Sequence, residues 1–391
     1  MFAERRQRLL EKMGPDAVAV LLGAGLATRS NDTEFPFRQD SDFWYLTGFG
    51  HPNAMAVLRS DGGPEFSLYV EPRDAELETW TGYRPGVEGA RADYGADEAF
   101  TNDAFLPALG GLFDKARRIY HVLGRDAAVD ARITETLETM RMRSRRGIVP
   151  AEAIHDPRSI VHEMRLLKEP AELDRMRHAA AITHRAHAAA APLAQPGRHE
   201  YELQATLEYE FRSRGSAGPA YTSIVGGGRN ATVLHYIAND QVLHDGELVL
   251  IDAGCEWEGY AADVTRTYPI GGRFTPERRA VYDIVLAAQH AALDLCKPGS
   301  TLPEIHDAAV RVITEGLVDL KLLDGPVDDA IANEHYRRCY MHSTSHWLGL
   351  DVHDVGSYKR EGENRALEAG MCLTVEPGIY ISPDDEKADP A

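Results

Sequence analysis

Residues 247–268 read ELVLIDAGCEWEGYAADVTRTY. Leu248 to Asp252 is an apolar run that ends in a carboxylate, Gly259 marks a turn, and Tyr260 to Tyr268 alternates again and carries Asp263. Side chains along a strand alternate between faces, so the turn decides how the two aspartates meet. A turn centred between Trp257 and Glu258 puts Asp252 directly opposite Asp263. A turn at Glu258-Gly259 leaves them diagonal, still on one face. Either way two carboxylates share a mostly apolar hairpin and repel, and they require a proton, a cation or a metal between them. A hard divalent metal is the simplest resolution, because carboxylate oxygens suit Mn, Mg or Ca.

The 391-residue chain is long enough for two or three domains at roughly 100–200 residues each. Its 43% hydrophobic and 26% charged residues fit a globular rather than a disordered chain. The formal charge of −19 opposes nonspecific binding to a nucleic-acid backbone, which depends on Lys and Arg. The opening MFAERRQRLLEKMGPD reads as a charged helix, not a signal peptide. No apolar run approaches the roughly 20 residues of a membrane span, and the Ala-rich patch near 186–194 is too short. Cys255, Cys296, Cys339 and Cys372 are widely and irregularly spaced, matching neither a zinc pattern nor a disulfide framework, so reduced thiols in a cytoplasmic protein are expected.

Upstream, the apolar runs Ala17 to Leu22, Phe43 to Thr47, Ala54 to Leu58 and Phe66 to Val70 read as strands. Helical periodicity appears between Arg73 and Thr81 and between Asp130 and Met142, and the basic stretch Arg141 to Gly147 reads as a solvated connector. These features make residues 1–165 one α/β domain. Glu169-Pro170-Ala171-Glu172 then opens a long helix towards Leu193, with Pro in the first turn and acids near its start. Beyond it the pattern predicts a helix over Glu200 to Ser213, a strand over Tyr221 to Val225 running into Gly226-Gly227-Gly228, and helices over Thr275 to Leu295 and Thr301 to Leu317. The glycine run fits no phosphate-loop pattern.

Three further stretches carry side chains able to bind metal or move protons. They are Thr232-Val233-Leu234-His235-Tyr236, His342 to Gly356 (HSTSHWLGLDVHDVG), and Thr374 to Tyr380 (TVEPGIY). Alone, each is weak. A single His on an apolar face is more often a core histidine, and a Glu before Pro-Gly is more often a strand-end residue. The i, i+4 pair His342 and His346 lacks the Glu of a helical zinc motif, and its Ser, Thr and Gly neighbours favour loop or strand.

Taken together, in this order, these stretches resemble the pita-bread metallopeptidases and, within them, the aminopeptidase P subfamily. FRQDSDFWYLTGF (37–49) and VHEMRLLKEPAELDRMRHAAAIT (161–183) extend the resemblance over nearly the whole chain. It implies an N-terminal creatinase/prolidase-like α/β domain that supplies subunit contacts and shapes the substrate entrance. Residues 166–391 would form a pita-bread α+β catalytic domain. It also implies hydrolysis, by metal-activated water, of the bond between an N-terminal residue and a penultimate proline. Asp252 would be a bidentate ligand of one metal, Asp263 would bridge both, and His346 would bind the other. Glu376 would be a ligand and the proton acceptor. His235 and His353 would hold the substrate carbonyl and stabilise the tetrahedral intermediate, with His342 in support. The implied cofactors are two divalent ions, Mn(II), and the implied assembly is a homodimer or homotetramer acting on peptides with penultimate proline. Trp44, Trp80 and Tyr83 are read as core aromatics, with subunit contact as the alternative.

One departure stands out. The family carries a fifth ligand, a bridging Glu on a strand after the EPG motif. Here the chain ends at Ile381-Ser382-Pro383-Asp384-Asp385-Glu386-Lys387-Ala388-Asp389-Pro390-Ala391, with no acid in a strand pattern. The expectation is therefore a catalytic domain without its last strands and a second metal site weakened by lost negative charge. Two rival readings follow. One is a prolidase cleaving Xaa-Pro dipeptides, which needs a basic cap for the dipeptide carboxylate. The other is a non-catalytic pita-bread binding protein, which tight Mn(II) uptake would exclude.

Overall fold

The computed structural model describes residues 1–382. The chain divides into two compact units, Met1–Met164 and a second beginning at Arg165. In the first, six strands form one mixed sheet in the order Glu98–Thr101, Phe66–Val70, Met55–Arg59, Ala17–Leu22, Arg118–His121, Ala153–His155. Ala17–Leu22 pairs antiparallel with Met55–Arg59 (Val20 opposite Val57) and parallel with Arg118–His121. Ala17 to Leu21 and Phe66 to Val70 are buried without alternation, as expected of strands covered on both faces. Helices Phe105–Leu112 and Ala127–Met142 pack Leu109, Ile133 and Leu137 against Val18, Val57 and Ile119. The charged N-terminal helix spans Phe2–Met13, with the Arg5 and Arg6 guanidinium groups stacked over Tyr45 and Phe66.

Two expectations fail in this unit. Phe43 to Thr47 is not a strand but the body of a helix, Ser41–Thr47. The Asp40 side chain caps its start by accepting from the Phe43 N–H at 2.8 Å, and Gly48, with φ 67°, ends it. Nor are all three aromatics core residues. Trp44 packs edge-on against Phe2, but Trp80 and Tyr83 are 81% and 60% exposed, and helix Ala75–Thr81 buries no residue.

Two three-stranded sheets lie in the second unit. Leu248–Asp252 lies between Ile224–Gly227 and Thr265–Pro269, and Cys255–Trp257 lies between Tyr260–Ala261 and Gly218–Pro219. Two helix pairs back them. Helices Pro170–Ala190 and Glu200–Ser213 pack Ile182, Ala186, Leu207 and Phe211 against Val225, Val249 and Ile251. Helices Pro276–Leu293 and Leu302–Asp319 pack Ala288, Ile305 and Ile313 around Trp347 and Leu367. The Glu169–Glu172 capping box, with Pro170 in the first turn, starts the long helix where the sequence marks it. The strand expected from Tyr221 begins only at Ile224, and Tyr221 is free to serve the site described next. Among the described residues no helix is long and apolar enough to cross a membrane, and no disulfide joins the cysteines.

Candidate metal centre

The hairpin turns at Glu258-Gly259, where both residues have positive φ (46° and 83°) and Trp257 faces Tyr260. Of the two registers open to the sequence, this is the diagonal one. Asp252 pairs with Thr265, and Asp263, two residues earlier, sits diagonally on the same face. The ladder breaks between the two sheets, at Gly254, where a Cβ would stand 1.8 Å from the Ala262 carbonyl oxygen. Only glycine allows the strands to approach there.

The long helix fixes the hairpin from behind. Glu172, Thr183 and His187 lie on one helical face, and all three are buried. Glu172 Oε1 accepts from the Tyr260 hydroxyl at 2.7 Å, Thr183 Oγ1 accepts from the Cys255 N–H at 3.1 Å, and His187 Nε2 donates to the Ala253 carbonyl at 3.0 Å. The sequence reading missed this device. Its signal is three polar residues at helical spacing on an otherwise Ala-rich face.

A second extended pair supplies the other half. The Leu348 N–H donates to Cys372, the Thr374 N–H to His346 and the Glu376 N–H to Thr344, so 344–348 and 372–376 run antiparallel. His346 faces Thr374, and Glu376 is its diagonal neighbour, the same relation that Asp252 bears to Asp263. His342 and His346 are therefore not a helical pair.

The two diagonals converge. His346 Nε2 is 3.2 Å from both Asp263 Oδ2 and Glu376 Oε1. The Tyr221 hydroxyl lies 2.5 Å from Asp252 Oδ1 and 3.0 Å from Asp263 Oδ1. His346 Nδ1 donates to the Trp347 carbonyl at 3.0 Å, which leaves Nε2 as the atom able to bind a cation when the ring is neutral. Thr374 Oγ1 accepts from the His346 N–H at 3.0 Å and donates to Glu376 Oε1 at 2.9 Å, locking the two ligand candidates together.

The electrostatics are those of a site short of positive charge. Burial first, then the charge of Asp263, push the Asp252 carboxyl up to about 7. Burial by itself would lower His346, but hydrogen bonds to Asp263 and Glu376 outweigh it and push the imidazole up to about 10. Burial and the same two aspartates raise Tyr221 well above its ordinary range, so its hydroxyl stays protonated and donates. Protons on Asp252 and His346 thus do the work of a cation, and the donors are drawn onto one another. Among the described residues no three His, Cys, Asp or Glu side chains stand ready as an open cage. Three carboxylates and one imidazole nevertheless fit one or two hard divalent ions, which would replace those protons.

The remaining residues fall at different distances from this core. His353 packs edge-on against His346, with ring centroids 4.4 Å apart. His342 Nε2 lies 3.0 Å from the Tyr380 hydroxyl, and Tyr380 is raised by burial, then by Glu376 and Asp252, so His342 reaches the cluster through this phenol. Tyr380 was passed over in the sequence, although Glu376, Gly378 and Tyr380 alternate as one face of an extended segment would. His235 is exposed in the turn after the short helix Gly228–Thr232, and among the described residues no hydrogen bond, ion pair or ring contact joins it to the four ligand candidates. The terminal acids Asp384, Asp385, Glu386 and Asp389, none of which the sequence pattern offers as a fifth ligand, lie outside the described residues.

Residues 174–388 match metallopeptidase family M24, and residues 2–120 match the N-terminal domain of aminopeptidase P. The chain belongs to metallopeptidase family M24. It is 44% identical to the Xaa-Pro aminopeptidase of Escherichia coli over 98% of its own length and 88% of that protein's. It is 33% identical to human Xaa-Pro aminopeptidase 3, covering 99% and 77% of the two chains. The solved Pseudomonas aeruginosa aminopeptidase PepP superimposes with a TM-score of 0.95 at 47% identity, covering 99% of this chain and 88% of that one. A zinc-substituted E. coli aminopeptidase P in complex with product gives 0.94 at 44% identity, covering 98% and 88%. The two-part architecture expected from the sequence, an aminopeptidase P type N-terminal domain followed by a pita-bread domain, is the one present.

Proposed function

We propose that this M24 member is a metal-dependent Xaa-Pro aminopeptidase, releasing the first residue of peptides whose second residue is proline. The observation that carries the metal-dependent reading is the convergence of Asp252, Asp263, His346 and Glu376 from two extended pairs onto one point. The proline specificity is taken from relatives named for it that align over nearly the whole chain. The four side chains would hold two divalent ions, and the oxygen-rich donor set favours Mn(II). When bound, such ions acidify a water nucleophile and polarise the scissile carbonyl.

The chain's own residues do the rest. Glu376, held by Thr374, accepts the proton of the attacking water and delivers it to the departing proline nitrogen. His353, packed edge-on against His346, and His235 donate to the carbonyl oxygen as negative charge develops on it. The X–Pro bond is a tertiary amide without an N–H, and its ring crowds the preceding residue. An enzyme for it must rely on such donors to the carbonyl rather than on a hydrogen bond to the missing N–H.

The decisive assay is Mn(II)-dependent release of the first residue from an Xaa-Pro-Xaa tripeptide, run beside the Xaa-Pro dipeptide. The tripeptide should be cleaved and the dipeptide left intact. Cleavage of the dipeptide would favour the prolidase reading, and no cleavage with no Mn(II) uptake would favour a binding protein.

We also propose a cytoplasmic homodimer or homotetramer, with no role for nucleic acid or membrane. The reduced thiols and the charge of −19 support the first and last points. Leu77, Trp80 and Tyr83 support the assembly, being exposed in or beside a helix with no buried residue of its own. Sedimentation velocity should give a mass of at least two chains, and a monomer at micromolar concentration would refute the assembly.

A further inference from the structure

We infer that Glu200 is a positioning residue for His235, an inference that rests on the role given to His235 above. Glu200 opens the helix Glu200–Ser213 and is fully buried. Among the described residues no Lys, Arg or His pairs with it. Four donors surround it instead. Oε1 accepts from the Gly227 N–H at 2.7 Å and the Asn230 side-chain amide at 3.1 Å. Oε2 accepts from the Tyr236 hydroxyl at 2.8 Å and the Gln241 N–H at 3.0 Å.

All four donors belong to the segment 227–241. One carboxylate oxygen holds the beginning of that segment and the other its end, and His235 lies between, next to the anchored Tyr236. The segment leaves the sheet from the Ile224–Gly227 strand, whose Ile224 pairs with Asp252. The clamp therefore sets a loop that leaves this strand at Gly227, opposite Val249 and three residues along from the partner of Asp252. Buried Asn239 reinforces it, accepting from Val225 N–H at 3.0 Å and donating to the Ser223 carbonyl at 2.8 Å.

The chemistry of the clamp requires a carboxylate. A buried charge is costly unless its lone pairs are satisfied, and here hydrogen bonds and the helix N-terminus satisfy them. Glutamine has the same shape but one acceptor oxygen. Its amide N–H groups would face the N–H donors at one end of the segment and release that end.

The test is a double-mutant cycle on the Mn(II)-loaded enzyme with the tripeptide, comparing Glu200→Gln, His235→Ala and both together. Glu200→Gln should lower kcat by about 10–100-fold, as is typical when a group supporting a functional side chain is lost. Mn(II) content and KM should change little. The double variant should be no slower than His235→Ala alone, because the clamp acts only through that imidazole. Multiplying losses would overturn the inference, as would wild-type kcat in Glu200→Gln. If Glu200→Gln does not fold, Tyr236→Phe takes its place in the cycle. It removes one hydroxyl, and its smaller loss should likewise vanish in the His235→Ala background. A chain that cleaves the tripeptide but tolerates His235→Ala sinks the His235 role and this inference together, leaving the hydrolytic reading intact. A wild-type chain inactive on the tripeptide refutes that reading first.

Discussion

Replacing Asp252 by Asn is expected to push the two forms of the protein in opposite directions, abolishing metal-dependent hydrolysis while stabilising the metal-free chain. Loss of a group behind a ligand typically costs 10–100-fold, so loss of a ligand should cost more than about 100-fold in kcat/KM. The gain in the metal-free state follows from the Asp252 carboxyl, which burial and Asp263 push up to about 7. Between the ordinary aspartate range and pH 7, the folded chain keeps a proton that the unfolded chain releases. Stability from this group is therefore fully present below about pH 4 and is lost as pH rises through 7. His346, pushed up to about 10, extends the loss to higher pH. Asparagine still accepts from Tyr221 but carries no charge to desolvate. The metal-free variant should match wild type near pH 4 and melt progressively above it towards pH 8. The rise in Tm on adding Mn(II), which in wild type grows with pH as ligands shed protons, should shrink or disappear. Thermal melts of both proteins from pH 4 to 8, with chelator and with Mn(II), decide the matter. A variant that keeps the full Mn(II) shift removes Asp252 from the ligand set.

The second large effect lies behind His353. Asp354 accepts from Arg165 Nη2 at 2.5 Å and from Lys168 Nζ at 2.9 Å, and the Asp354 and Lys168 side chains are each only 1% exposed. Arg165 also reaches the partly exposed Asp351 at 2.8 Å, so only Lys168 depends on Asp354 alone among these contacts. Asp354→Ala should lower unfolding stability by about 3–5 kcal/mol, because it leaves a buried ammonium without its counter-charge. The sign of the second step tests the cause. Adding Lys168→Met removes the stranded charge and should recover a substantial part of the loss, although it deletes a further polar side chain. Urea unfolding of the single and double variants measures this. A double variant less stable than Asp354→Ala would show that the pair acts through packing rather than charge.

How far the sequence reached depended on chain distance. The Asp252 and Asp263 relation was legible because alternation and one turn govern it, and the turn residues left just two registers. The His346 and Glu376 relation was not legible from pattern, since nothing local announces that 344–348 pairs with 372–376, and the resemblance had to supply it. Phe43 to Thr47 was misread because a short apolar run suits a buried strand and a buried helix equally. The deciding cues, Asp40 before it and Gly48 after it, were present but not used. Tyr221 and Glu200 escaped for another reason. Their partners lie 27 or more residues away, beyond the reach of any periodicity. Trp80 and Tyr83 show the limit of composition, which assigns aromatics to the core on average and cannot single out those left outside it.

The two diagonals also determine where this architecture can change its length. A one-residue slip within either extended pair turns a ligand to the opposite face, so neither pair tolerates a net insertion between its partners' registers. The Asp252–Asp263 hairpin closes with two residues and offers no slack. The connection between Leu348 and Cys372 does. Its tip, the exposed hairpin Lys359–Arg360 and Glu363–Asn364, sits outside the register that aligns His346 with Glu376. Extra residues there would lengthen a surface loop at small entropic cost without displacing a ligand. That tip is a place where the chain can be lengthened while the registers that align the ligands stay intact.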